Sequence, residues 1–147
     1  MIAAAVGKYL GDEVTGLTYS ATTTGGNVFV GWMPSTPDIA VGVMPAGGVP
    51  NRTLQPWDTP VVQIIVRGAP RVQRASYDLA RAVYDALAGL DNTTLDAAGD
   101  DEVFVIGCTP VQSDAVPLGV DDNDRPEWSL NFEIQVHAPT TNRPAHA

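Results

Sequence analysis

A single cysteine, Cys108, and two histidines among 147 residues remove whole classes of protein at once. One thiol closes no internal disulfide framework, and with so few Cys and His the common zinc-ligand sets cannot be assembled, so no metal or other cofactor is expected. Basic residues are scarce as well: eight Lys and Arg stand against 17 Asp and Glu, a formal net charge of -9. Duplex binding depends on cationic side chains that displace counterions, so this composition excludes a phosphate-gripping surface and favours solubility and repulsion from nucleic acid. No apolar run approaches the roughly 20 residues that a membrane helix needs. The opening MIAAAVGKYLGDEV has no basic residue before Lys8 and no extended apolar stretch. It reads poorly as a signal peptide, and a cytoplasmic product is expected.

Catalytic signatures are equally scarce. No G-x-S-x-G elbow, H-E-x-x-H pair, Walker loop or G-x-G-x-x-G occurs, and Gly7-Lys8 lacks the upstream glycine of a phosphate loop. Cys108 lies inside the apolar run VFVIGCTPV, where an inert buried thiol is the commoner state than a nucleophile served by His137. The acidic stretch GVDDNDRPEW, taken as a calcium loop from Asp121, would put Pro126 where glycine is required and Phe132 where a bidentate Glu is required. Asp121, Asp122, Asn123 and Asp124 are instead residue types that tighten turns, with Arg125 pairing locally or across a subunit boundary. A small ligand-binding or hydrolytic domain built on Cys108, His137 and the Asp121 cluster stands as a remote alternative, and an enzyme is not expected.

What is present is the patterning of one domain of ordinary size. Ile2, Val6, Tyr9 and Leu10 fall at helical spacing, with Gly11 and Asp12 as a stop, and predict a short N-terminal helix. NVFVGW and DIAVGVMP read as neighbouring strands, and the Pro/Gly-rich segment from Ala46 to Pro60 as a long functional loop. VVQIIVRG, nearly continuous in apolar residues, reads as a central strand covered on both faces. Val72, Ala75, Leu79, Val83, Ala86, Leu87 and Leu90 trace an amphipathic helix of about five turns with Pro70 in its first turn. DNTTLDAAGDDE reads as a polar loop. Trp128, Leu130, Phe132, Ile134 and Val136 alternate with polar neighbours, as in a strand with one buried and one wet face. The expected fold is a single α+β domain over 1–137. It has a mixed or largely antiparallel sheet of about five strands, one long helix on a face and a short N-terminal helix, with 138–147 a flexible tail.

Four of the eight basic residues, Arg67, Arg71, Arg74 and Arg81, cluster after the central strand and along the long helix, interleaved with Asp78 and Asp85. Two readings stand: a solvated face with weak ion pairs, or a surface that docks against a second copy. Trp128 reads as core, and Trp57 in the Pro-rich loop as an interface anchor.

The order of pieces carries a resemblance. IAVGVMPAGGVPNRTLQPWDTPVVQIIVRGAPR, then the helix SYDLARAVYDALAGL, then PLGVDDNDRPEWSLNFEIQVH, resembles the minor capsid and tail terminator family of tailed bacteriophages. The resemblance runs from about Ile39 to His137. It implies a structural virion protein: a homo-oligomeric ring, commonly a hexamer, that caps the tail tube and offers a surface to head-completion proteins while DNA passes through its channel. The residues then expected at subunit contacts are Arg67, Arg71, Arg74, Asp78, Arg81 and Asp85. Trp57 and Asp58 are expected against the tube or the head connector. A head-completion or head-to-tail joining protein is the nearest alternative.

Overall fold

A computed structural model describes residues 1–22, 24–51 and 55–145. Arg52, Thr53 and Leu54 of the expected functional loop, and the last two residues of the expected tail, lie outside them. The chain folds as helix α1 (Ile2–Glu13), strands β1 (Val28–Val30), β2 (Ala40–Gly48), β3 (Trp57–Asp58) and β4 (Pro60–Arg67), helix α2 (Gln73–Leu87), then strands β5 (Asp91–Leu95), β6 (Val103–Pro110), β7 (Val116–Val120) and β8 (Pro126–His137). All eight strands join one curled mixed sheet, ordered β1-β2-β4-β8-β6-β5, with β3 and β7 also on β8.

Strand β8 is the spine. Trp57 lies opposite His137, Val61 opposite Glu133 and Arg67 opposite Glu127, so β3 and β4 run along one edge of β8 in a single register. β6 and β7 follow one another along its other edge, each with a register shift that marks a bulge. The expected alternation in β8 holds from Leu130 onward: Trp128, Leu130, Phe132, Ile134 and Val136 are buried and Glu133 and His137 are exposed, but Ser129, expected on the wet face, is buried.

Both helices share one face of this sheet. Ala5, Val6 and Leu10 of α1 and Ala80, Val83 and Leu87 of α2 enter a single core with Val43, Ile64, Leu130 and Phe132. α2 is pinned at its start by Trp128, whose indole Nε1 donates to Ser76 Oγ at 2.8 Å, and by the edge-on contact of Tyr77 with the same ring. Its buried stripe is Ser76, Ala80, Val83 and Leu87, rotated from the expected one, and Val72 and Ala75 are exposed. Pro70 sits ahead of the helix, not in its first turn, because Arg71 takes a left-handed backbone (φ 63°) before Gln73 starts it.

The expected strand count of about five is corrected to eight among the described residues. DNTTL is a strand with little apolar content, β7 is exposed along its whole length, and β3 has two residues, so none carries the alternation that reveals a half-buried strand. β4 is central but covered on both faces only at its Arg67 end: Val62, Ile64, Val66 and Arg67 are buried, while Val61, Gln63 and Ile65 are partly exposed. In β6, Phe104 and Ile106 likewise stay more than a third exposed.

Candidate assembly surfaces

Among the described residues, the face of the sheet away from the helices divides into a covered end and a bare end. At the covered end the loop 31–39 folds over β2 and β4. Arg67 is 4% exposed, and its guanidinium donates to the carbonyls of Asp38, Pro34 and Pro37 at 2.9, 2.8 and 2.6 Å. Arg125 is also buried. It donates to Asp121 Oδ2 at 2.8 Å, to the Ser35 carbonyl and to Asp38 Oδ1 at 3.2 Å. Two buried arginines thus clamp one loop from the β4 and β8 sides. Burial lowers the pKa of Arg67, and the nearby charge of Arg125 adds to the shift. Arg67 was expected at a subunit contact with the helix charges; its side chain is buried and its Nε and one terminal nitrogen are taken by the loop, so little of its charge is open to a neighbour.

The acidic knot is a turn. Asp121 Oδ1 accepts from the backbone N–H of Asn123 and Arg125, at 2.9 and 3.0 Å, the local hydrogen bonding that Asx turns use. Burial works to raise the Asp121 pKa, but these N–H groups and the Arg125 guanidinium outweigh it and hold the carboxyl below its ordinary value. Asp124 meets Arg71 at 3.5 Å across an exposed gap. Arg125 therefore pairs within the chain.

The outward side of α2 carries the other predicted charges. Arg74 reaches Asp78 at 3.0 Å and Arg81 reaches Asp85 at 3.2 Å, both one turn apart. Arg81 also lies over the Tyr84 ring at 4.4 Å and near Asp114 at 3.8 Å. Arg71 and Arg74 are the more open, with side chains 84% and 87% exposed. Beside them an apolar cleft of about 260 Å³ opens between Leu17, Ile39, Val72 and Leu79.

At the bare end of the sheet, Trp57, His137, Phe104 and Thr94 stand side by side across four strands. Asp58 is held by Arg143, whose two terminal nitrogens reach its carboxylate at 2.8 and 3.1 Å, and this holds the Asp58 pKa below the usual range. The Ala138 N–H donates to the Pro56 carbonyl, so part of the segment expected to be a flexible tail lies along β3. A shallow trough follows, with Glu133 and Thr59 common to two adjoining cavities of about 390 and 250 Å³. Glu133 was visible in the sequence as a wet-face residue but carried no signal that set it apart.

Cys108 is buried, and burial alone pushes its thiol up to about 12, far from a nucleophile's range. Among the described residues no three or more His, Cys, Asp and Glu gather as metal ligands. Asp121, His137 and Cys108 do not meet.

These features define a single-domain α+β protein whose distinctive surfaces are suited to contact with other proteins. A family model described as bacteriophage tail terminator protein matches residues 9–137, and the chain belongs to that family. That family is one of phage tail structural proteins. A solved chain from the virion of a native gene transfer agent particle is similar in fold, with a TM-score of 0.54 and 21% identity over 93% of this chain and 95% of that one. No curated protein sequence matches.

Proposed function

We propose that copies of this chain form a closed head-to-tail ring, a hexamer, that caps the tail tube at its head-proximal end and presents a surface to head-completion proteins. The observation that carries this reading is the family match over residues 9–137. The geometry supports it with two exposed surfaces on opposite sides of a two-layer domain, the arrangement that a repeating heterologous contact uses. The exposed α2 charges Arg71, Arg74, Asp78, Arg81 and Asp85 serve subunit contacts, and Trp57 and Asp58, close to the described end of the β2–β4 connection, meet the tube or the connector. The role is structural and not enzymatic. An acidic ring also suits a channel through which DNA moves without adhering.

Electron microscopy of a lysate lacking the gene tests the role. Overlong or irregular tails beside unattached heads are expected, because nothing stops tube growth. Free tails of normal length beside filled heads would instead assign the chain to head-to-tail joining.

A further inference from the structure

We infer that the Arg71–Arg74 end of α2 in one copy docks into the Glu133 trough on the bare sheet face of the next copy. This rests on the ring reading above and names the two halves of its contact. The trough is floored by Thr59, Thr109 and Gln135 and walled by Val49 and Trp57, with Glu133 at the junction of its two cavities. Glu133 is exposed, its cross-strand neighbours are Val61 and Thr109, and it forms no ion pair among the described residues. A carboxylate in a concave, partly apolar setting is a receptor for a guanidinium, which can bond the carboxylate in a fork.

The donor is found by elimination among the described cations. Lys8 is held by Asp96 and Asp101, Arg125 by Asp38 and Asp121, and Arg143 by Asp58. Arg67 is buried and Arg81 is spread over Asp85, Asp114 and Tyr84. Arg71 and Arg74 remain open, and the exposed pairs that hold them are worth only a few tenths of a kcal/mol, so exchange for a desolvated partner is easy. Apolar surface accompanies the charge on both sides: Ile39 and Val72 beside the arginines, Phe104 and Ile106 beside the trough, all more than a third exposed.

Direction follows from placement. α2 packs on the Phe132 side of β8, and Glu133 projects from the other side, so sheet and helix separate Arg74 from Glu133 within one copy. The contact must pass between copies, and its repetition lays the helix layer of each copy on the bare sheet of the next.

The test is a chain carrying Arg74→Cys with Glu133→Cys, oxidised in purified tails and run on a denaturing gel. A ladder of covalent multimers ending at the ring number is expected, with each variant that carries only one of the two substitutions beside the buried Cys108 giving at most a faint dimer. Charge exchange is the second arm: Arg74→Glu and Glu133→Arg should each reduce ring recovery at least tenfold with an unchanged melting temperature, and the double variant should restore it. Rings that persist in the single variants, or that yield no ladder, overturn this contact and leave the ring reading standing. If the unaltered chain is not a ring in tails at all, both fall.

Discussion

Arg67 brings a full positive charge into the space beneath the loop 31–39 and answers it with three backbone carbonyls and no carboxylate of its own. A guanidinium suits that duty because its donors fan out in one plane and can reach several acceptors together. Lysine would keep the charge but present a compact ammonium that cannot span the carbonyls of Pro34, Pro37 and Asp38. Removing part of a buried hydrogen-bonded charge site leaves acceptors unsatisfied and costs about 2–4 kcal/mol. Arg67→Lys is therefore expected to destabilise the chain by about that amount in urea unfolding, and a loss below about 0.5 kcal/mol would show that the clamp is dispensable. The alternation of Val61, Gln63 and Ile65 puts Arg67 on the wet face. Its burial comes from a loop some thirty residues earlier, which no local pattern reports.

At the scale of elements, the glycine near the end of α1 inverts a general rule. Gly11 was read as a stop, yet the helix runs on to Glu13. A Cβ at Gly11 would come within 2.8 Å of the Tyr19 backbone nitrogen, so the glycine serves a close crossing of chain segments. Helix propensity alone would credit Gly11→Ala with about 1 kcal/mol of added stability. The crossing reverses the sign: a loss of about 1–2 kcal/mol is expected from thermal or urea melts, and a gain would mean that the 14–19 segment yields freely. The same distinction explains what was legible. β8 could be read because its alternating residues face the helix layer, β4 because its apolar run is nearly continuous, and α2 because its period is helical. β5 and β7 could not, because edge strands depend on ladder hydrogen bonds and need no apolar face. Of the assembly surfaces, the α2 charges and Trp57 were visible as clusters. The trough around Glu133 required the register that sets β3, β6 and β8 side by side.

Across the whole molecule, a few ion pairs join segments far apart in sequence, and they give stability a predictable dependence on pH. Lys8 ties α1 to the β5–β6 turn through Asp96 and Asp101, at 2.8 and 3.0 Å, and its ammonium holds both carboxyls below their ordinary values. Arg143 does the same for Asp58. A carboxyl whose folded pKa is depressed contributes stability that is present above its unfolded value, about 4, and lost as pH falls through the folded value. The pKa of Lys8 itself is raised, chiefly by the bond to Asp96, so its share persists below about 10.5 and is lost only as pH rises through the higher folded value. Melting temperature should hence be level through neutrality, fall below about pH 4, and fall again in strong alkali. Lys8→Met separates this linkage from general acid effects: Asp96 and Asp101 then lose the cation that depresses them, so the variant should melt lower at pH 7 yet show a shallower acid limb. Parallel acid limbs for the two chains would mean that the acid loss arises elsewhere, with the turn around Asp121 the next place to look.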